Sequence, residues 1–470
     1  MNTAERLQQL EGLGEPGQWA VGHIVQLTLE NLRWKSQWAE ARAQLEKLEQ
    51  QIEALQRQAH RSAAPFRRPE QERSARPGRP GRQAGHAGVC RPVPEHIDEH
   101  IRVNLECCPH GQGPVREKQS LTQYLEEIPE VRPRVTELIT ESGWCEHCQR
   151  EVCSTHPLQT SRAGGAAAVQ LGPRALALAC DLNKAKGLSL RNTVAVLRDH
   201  FGLKLTAGGL ALLVQRGGRT LQPEYERSVL AVRESPVVHT DETSWWVGGP
   251  GWWLWVFATA QQTVYVVIQS RAAAVALGVL GTDFAGVLVS DCLAIYDDLN
   301  RLQHKCYSHH LQAVSEACAR HPQGGNGYLH QVQALLRTAL GLKALQAGAE
   351  PARFVQCVEG LRTRAHALLE GPRPQAQEEK VRMRLWKQRD HLFTFLERTE
   401  VPATNNLAER QLRPAVIARK ISCGNKTEKG ATAWQVLASL AATCRQEGRS
   451  FIDFVAQRIP LPRPRAPAAN

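Results

Sequence analysis

The stretch from residue 237 to residue 290 constrains the fold most, because β-branched and aromatic runs alternate there with turns in a fixed order. Three strand-like runs are followed by a short helical run and a fourth strand-like run. This order predicts an α/β core with several strands in one sheet. The runs are VVHT at 237–240, WWLWVFATA at 252–260, TVYVVIQS at 263–270, AAAVALGVL at 272–280 and VLVS at 287–290.

Acidic residues follow the first and fourth predicted strands. Asp241 comes directly after VVHT and Asp291 directly after VLVS, so each carboxylate is expected at the end of a buried strand. A ribonuclease-H-like layer has this strand order and places the two positions side by side. Glu409 lies in a helical stretch, residues 405–412, which would have to pack back against the sheet to join them.

Three carboxylates would offer the oxygen ligands that Mg²⁺ prefers, and two such ions support an in-line phosphoryl displacement. Each acid also has a simpler interpretation. Asp241 and Asp291 can end strands and begin turns, where Asp is common. Asn406, followed three residues later by Glu409, fits a helix capping box. The residue types alone leave both interpretations open.

The chain resembles the catalytic-domain motifs of the insertion-sequence-66 family of DDE transposases, most specifically in its last block. The resemblance implies that Asp241, Asp291 and Glu409 form a catalytic triad holding two Mg²⁺ ions, or Mn²⁺. It implies a two-step reaction, in which water cleaves the end of an element and the released 3′-hydroxyl attacks target DNA. It also implies double-stranded DNA and small accessory proteins as partners. The blocks are HTDETSWWV, VLVSDCLAIYDDL, CYSHHLQAV and TNNLAERQLRPAVIARKISCGNKTEKGA.

Charge and cysteine content fit such a protein. The formal net charge of +12 suits a polyanionic partner. No apolar run reaches the roughly 18 residues of a membrane span, so no membrane partner is expected. Without a secretion signal, the 13 Cys predict reduced thiols in a cytoplasm rather than a disulfide framework.

Six parts are predicted along the chain. They are a coiled-coil dimerisation helix at 1–58, a basic Pro/Arg-rich linker at 59–88, a Cys/His zinc-ribbon-like module at 89–160, a helix-turn-helix-like DNA-binding segment at 161–232, a ribonuclease-H-like DDE catalytic domain at 233–446 with a helical insertion at about 300–400, and a C-terminal segment with a basic tail at 447–470.

A heptad pattern runs from residue 24 to residue 55, and Asn31 is its one polar seam residue. Nearly five heptads predict a coiled coil, and a lone seam Asn is a known means of fixing register and oligomer state. A parallel homodimer or higher oligomer is therefore expected, and an intramolecular helical hairpin is the alternative. The seam residues are Ile24, Asn31, Trp38, Leu45 and Ile52, with Leu27, Trp34, Ala41, Leu48 and Leu55.

Basic residues in three places are predicted to contact DNA. RPGRPGR resembles an AT-hook, which lays Arg side chains in a narrow minor groove, although a solvated spacer is equally consistent. Two helical patterns within residues 175–217 outline a helix-turn-helix or an ordinary helical hairpin. The cations around Glu409 would hold phosphates or form a solvated helix face, and Pro414 should kink or end that helix. The residues are Arg76, Arg79, Arg82, Arg216, Arg410, Arg413, Arg419 and Lys420.

Two Cys/His spacings suggest metal binding. The pairs Cys107-x-x-His110 and Cys145-x-x-Cys148 would complete a structural zinc site. The family usually carries Cys-x-x-Cys in the first position, and aligning Cys108 with it places the second Cys on a glycine. Either the first pair substitutes or the module folds without metal. Cys306-x-x-His309 has no second pair nearby, which favours a structural role over zinc.

Two other functions are consistent with parts of the pattern. A DNA-binding regulator or degenerate transposase would use the coiled coil and linker without catalysis, and the intact triad argues against it. A ribonuclease-H-like nuclease would keep the same site but would not recognise element ends.

Deleting residues 1–58 is expected to lower the oligomer mass in light-scattering chromatography, because it removes the predicted heptad seam. An unchanged mass would show that the oligomer forms elsewhere.

Overall fold

The computed structural model describes residues 169–297, 299, 301–320 and 327–459, most of residues 85–159, and scattered residues between 6 and 44. These fall into two compact units, residues 1–126 and 127–470. In the first unit, every residue described between positions 15 and 44 is helical. Coiled-coil pairing stays a prediction. Arg76, Arg79 and Arg82 of the basic linker and the tail from Pro460 lie outside the described residues.

A five-stranded mixed sheet forms the centre of the second unit. Its order is β5–β4–β3–β6–β7, in which β4 is antiparallel to both β3 and β5, and β6 and β7 are parallel to β3. All four strands expected from the sequence are present, and the α/β prediction is confirmed. The strands are β3 (Val237–Trp245), β4 (Trp252–Ala258), β5 (Thr263–Ile268), β6 (Val287–Ser290) and β7 (Gln303–Lys305); a separate hairpin pairs β1 (Ser142–Cys145) with β2 (Arg150–Cys153).

Helices before and after the sheet share one hydrophobic core with one of its faces. Trp255 and Phe257 of β4 and Leu288 of β6 point to this face, as the period of two along a strand requires. Helical segment 173–233, predicted as a separate DNA-binding segment, contributes to this core, as does the helix that follows residue 450. The helices are α1 (Pro173–Cys180), α2 (Leu190–Phe201), α3 (Ala207–Thr220), α4 (Gln222–Arg233) and α5 (Ala273–Leu280), with α13 (Phe451–Arg458) at the C-terminal end.

The opposite face of the sheet is divided between two hydrophobic clusters. Val287 and Val289 of β6 pack with the helices that follow β7, which lie within the span of the predicted insertion and are called the insertion helices below. Leu254 and Val256 of β4 pack instead with two later helices. The insertion helices are α6 (Tyr307–Ala319), α7 (Gly327–Leu345), α8 (Pro351–Leu369), α9 (Ala376–Lys387) and α10 (Thr394–Glu397); the later two are α11 (Asn406–Ser422) and α12 (Glu428–Gln446).

Pro414 was expected to kink or end the helix after Arg413; an end at this point is wrong, because α11 continues for eight residues beyond the proline. A proline in a helix removes one N–H donor and crowds the preceding turn. The helix is nevertheless supported from the sheet side, where Leu412 and Ala415 are buried. The Tyr265 hydroxyl also donates to the carbonyl of Gln411 at 2.5 Å. Tertiary packing therefore outweighs the local preference.

None of the described helices is both long and apolar enough to span a membrane.

Gly218→Ala should destabilise the second unit, because an added Cβ would lie 2.8 Å from the Cα of Ala433 on α12. Overpacking of this kind costs about 1–3 kcal/mol and should lower the melting temperature by several degrees. Gly208→Ala on the same helix is the control, since its Cβ would meet nothing closer than 4.0 Å. Equal melting temperatures for the two variants would contradict close α3–α12 packing.

Candidate active site

Asp241 and Asp291 lie on adjacent parallel strands at one level of the sheet. Val237 pairs with Val287 and His239 with Val289, and the same offset continued for two residues aligns Asp241 with Asp291. Alternation places both on the face that the insertion and α11 share. One oxygen of each carboxylate is fixed by a backbone N–H, Asp241 by that of Glu242 at 2.9 Å and Asp291 by that of Leu293 at 3.0 Å. Among the residues that the structure describes, the other oxygen of each carboxylate accepts no hydrogen bond.

Glu409 approaches this pair from the first turn of α11, where it is half-buried. Burial raises the pKa of Asp241, and together with the nearby charges of Asp291, Glu242 and Glu409 it brings this pKa to about 7. Like charges raise a carboxyl pKa in this way only when they are close in a poorly solvated site. The residues expected to form the triad are therefore near enough to interact, and a cation among them would relieve the repulsion.

The capping-box interpretation of Glu409 is wrong, because the N-cap of α11 is Asn405 and its side chain caps no helix N–H. The Asn405 side chain is fully buried and turned into the sheet. Its Oδ1 lies 3.0 Å from the Nδ1 of His239, and its Nδ2 donates to the carbonyl of Thr240 at 2.8 Å. Burial lowers the pKa of His239 to about 4, so the imidazole is neutral and Nδ1 carries the donated proton. These bonds fasten the start of α11 to the strand that carries Asp241.

A fourth carboxylate, Glu242, lies behind the pair on the opposite face of β3. Its oxygens accept from the Tyr296 hydroxyl at 2.6 Å and from Arg271 at 2.9 Å. Burial raises the pKa of Glu242, whereas these two hydrogen bonds lower it. Sequence reasoning did not single out Glu242, although its position next to Asp241 in a strand placed it on the other face.

Lys305, at the end of β7, is a second buried charge that the sequence did not reveal. The side chain is fully buried, and its Nζ lies 3.2 Å from Ser290 Oγ and 3.9 Å from Asp297. Burial lowers its pKa to about 8, while the charges of Asp297 and Asp291 favour the protonated form. The lysine thus places a cation beneath the strand that ends at Asp291.

Two of the predicted DNA-binding cations flank Glu409. Arg410 and Arg413 are exposed on α11 and, with Glu409, line a cavity of about 1110 Å³. The cavity is also bordered by the turn that joins β4 to β5 and by the start of β3. The charged residues that line the cavity are thus the carboxylates Glu400 and Glu409 and the cations Arg410 and Arg413, and phosphate binding by the two arginines stays a prediction.

The other predicted cations differ in their surroundings. The Arg419 guanidinium donates to Thr243 Oγ1 and to Ser244 Oγ, each at 3.0 Å, and to the Ser244 carbonyl. It therefore ties the end of α11 to β3. Lys420 is exposed on α11 and Arg216 is exposed on α3. Phosphate binding by these three stays a prediction.

The second predicted zinc pair lies in the β1–β2 hairpin. The backbone N–H of Cys148 donates to Cys145 Sγ at 3.4 Å, and this contact lowers the pKa of the Cys145 thiol. Such N–H donors stabilise the thiolate form that binds metal.

The first predicted pair, in the other unit, has its turn one residue later than expected. The N–H of Gly111 donates to Cys108 Sγ at 3.4 Å, whereas Cys107 forms a bridge with Pro114. This geometry favours Cys108 over Cys107 as the first thiol. Zinc binding by Cys107, His110, Cys145 and Cys148 stays a prediction.

One family model and two uncharacterized relatives match parts of the chain. The model of a family described as "Transposase IS66 family" matches residues 168–433, more than half of the chain. An uncharacterized protein of Sinorhizobium fredii, y4jO, is 35% identical over 83 residues, which are 18% of this chain and 26% of that protein. A second from the same organism, y4qI, is 32% identical over 71 residues, 15% of this chain and 13% of that protein. The matches thus span about a quarter or less of these relatives.

Asn405→Ala should lower the free energy of unfolding by about 2 kcal/mol or more, because it leaves the His239 N–H and the Thr240 carbonyl buried and unpaired. Urea unfolding followed by tryptophan fluorescence would measure the change. Asn406→Ala is the matched control, since Asn406 is exposed and should change stability by less than about 0.5 kcal/mol. Equal stability of the two variants would show that the buried amide contributes little.

Proposed function

Because the chain belongs to the IS66 family of transposases, we propose that it cuts and joins DNA through a site built from Asp241, Asp291 and Glu409. The observation that carries the proposal is the position of the first two acids, at one level on neighbouring parallel strands with one oxygen of each fixed. The third acid approaches on a helix that Asn405 fastens to the same strand.

A ribonuclease-H-like catalytic core is part of this proposal. Strands β3, β4 and β5 form an antiparallel meander, and β6 and β7 continue the sheet on the other side of β3, parallel to it. The sequence order strand, strand, strand, helix, strand was expected to give a ribonuclease-H-like layer. The sheet order supports a ribonuclease-H-like core. In such a core, Asp241 and Asp291 are expected to lie side by side.

The donor set fits two Mg²⁺ or Mn²⁺ ions. Carboxylate oxygens are the ligands that these hard cations take, together with water and substrate phosphate. Desolvation and mutual repulsion make the free acids costly, as the raised pKa of Asp241 indicates. When bound, such ions activate an attacking oxygen and stabilise the leaving oxygen of an in-line displacement.

The residues of the chain have distinct roles in this reaction. Asp241 and Asp291 supply ligands from rigid strands, and Glu409 supplies one from α11. Arg410 and Arg413 bind phosphates of the DNA strand beside Glu409, because both are exposed along the same cavity. Asn405 is a positioning residue, since it contacts the strand and the helix but none of the reacting atoms.

Two successive displacements at phosphorus would use the same site. In the first, water attacks a phosphodiester at the element end, the new P–O bond forms as the bond to the 3′-oxygen breaks, and that oxygen leaves as a hydroxyl. In the second, this 3′-hydroxyl attacks a target phosphodiester; the new P–O bond joins the strands as the bond to the 3′-oxygen of the target breaks, and that oxygen leaves as a hydroxyl. A coiled-coil dimer, accessory proteins and a cytoplasmic location stay predictions.

Labelled DNA carrying the sequences that flank this gene should be nicked in the presence of Mg²⁺, and the nicking should require the acids. Asp241→Asn and Glu409→Gln should each lower the rate by about 10²-fold or more, as the loss of one preorganised charge does elsewhere. Asp283→Asn is the matched control, because Asp283 is exposed in the turn before β6. Gel-shift binding by all variants should persist.

Equal nicking by wild type and Glu409→Gln would remove Glu409 from the site. Binding without nicking in the wild type would favour the non-catalytic regulator. Nicking without preference for the flanking ends over random DNA would favour a nuclease that does not transpose.

A further inference from the structure

Cys306 and His309 meet Glu409 in a cluster that the proposed DNA chemistry does not use. Cys306 directly follows β7, His309 lies in the first turn of α6, and Glu409 arrives from α11, about a hundred residues later. One ligand atom from each side chain, a sulfur, a ring nitrogen and a carboxylate oxygen, lies within 4.8 Å of the other two. The pair that lacked a partner in the sequence therefore has a third ligand in the fold.

The surrounding backbone holds this cluster in place. The N–H of Cys306 donates to the carbonyl of Ser290 at 2.9 Å, and its sulfur accepts from the N–H of Asn405 at 3.2 Å. Cys306 is fully buried, while His309 and Glu409 are half-buried. The cluster is thus closed on the thiol side and open on the other, which leaves a path for an ion.

The imidazole of His309 has an atom that the protein leaves unsatisfied. Within the described part of the chain, its Nδ1 is buried and makes no hydrogen bond. Buried polar atoms are nearly always paired, and an exception in a native structure calls for a reason such as a bound ion. Either ring nitrogen of a histidine can bind a metal, and one ring nitrogen of His309 lies in the cluster.

We propose that Cys306, His309 and Glu409 bind a single zinc-class cation. Sulfur and imidazole ligands favour Zn²⁺ or Co²⁺, whereas Mg²⁺ takes oxygen ligands and is a poor fit here. Three protein ligands with one open position match the coordination of zinc sites that remain accessible to solvent. This site is separate from the Cys/His module near the N-terminus and uses none of its residues.

A cation at this site regulates the proposed nuclease by competing for Glu409. The carboxylate that would complete the DDE triad is drawn toward the thiol and the imidazole, so the Mg²⁺ site loses one ligand. Zinc therefore acts as a reversible inhibitor. This regulatory consequence rests on the proposed function, whereas the binding of the cation does not.

The binding is tested by titrating full-length protein with Co²⁺, which gives a near-ultraviolet charge-transfer band only when a thiolate is a ligand. We expect the charge-transfer band of this site to be absent in Cys306→Ser and in His309→Gln, and to be weaker in Glu409→Gln. Cys318→Ser is the matched control, because Cys318 lies on α6 with His309 but outside the cluster, and this variant should keep the full band. The double variant Cys145→Ser/Cys148→Ser should lose only the absorption of Co²⁺ bound to the Cys/His zinc-ribbon-like module, and should keep the band that depends on Cys306.

Thermal melting without metal separates a lost ligand from a lost fold. His309→Gln keeps the buried thiol and its contact with Asn405, so it should melt close to wild type while failing to bind Co²⁺. Identical Co²⁺ spectra for wild type, Cys306→Ser and His309→Gln would overturn the site. So would a His309→Gln variant that melts normally and retains the band.

The regulatory part is tested by inhibition of Mg²⁺-dependent nicking with Zn²⁺. The Zn²⁺ concentration for half inhibition should rise by about 10-fold or more in His309→Gln, a change at the lower end of that seen when a metal site is perturbed. Equal sensitivity of wild type and His309→Gln would overturn the regulatory role. A Co²⁺ band in a protein that never nicks DNA would contradict the proposed function and leave the metal site standing.

Discussion

A single buried amide, that of Asn405, connects segments that are far apart in the chain. Its side chain bonds to His239 and Thr240 on the central strand, and its backbone N–H bonds to the sulfur of Cys306 at the start of the insertion. Because each partner is buried, none of these groups can exchange its bond for one to water without opening the core. The start of α11, and with it Glu409, therefore keeps a fixed distance from both the sheet and the insertion.

The arrangement of charges around the site follows from the same lack of water. Acids gathered on one edge of a sheet repel one another, and burial makes each charge more costly. Two cations offset this negative charge. Arg271 donates a hydrogen bond to Glu242, and Lys305 donates one to Ser290 Oγ. These contacts stabilise the frame but leave one oxygen of Asp241 and one of Asp291 outside it. The arrangement suits a site whose remaining charge is meant for a ligand.

The sequence predicted the strands and helices of this site better than the tertiary contacts between them. Strands β3 to β6 were visible because β-branched and aromatic residues mark buried strands locally. Strand β7 was missed, since its three residues, Gln303–Lys305, are polar and are buried only by tertiary contacts. Helices α2 and α3 were expected, but nothing local indicates that Gly218 must fit against Ala433. For the same reason α11 does not end at Pro414, because the packing of α11 on the sheet is a tertiary contact. Cys306 and His309 lacked a third ligand until the fold supplied one.

Helix α11 is held to β3 near both of its ends. Asn405 joins it at one end, and Arg419 bonds to Thr243 and Ser244 at the other. Two attachment points, one near each end, restrict both rotation and translation of the helix relative to β3. The helices of the insertion pack on Val287 and Val289 of β6 in one hydrophobic cluster, and among the residues that the structure describes no hydrogen bond joins these helices to β3. Glu409, at the start of α11, is therefore held in register with β3 more firmly than the insertion helices are.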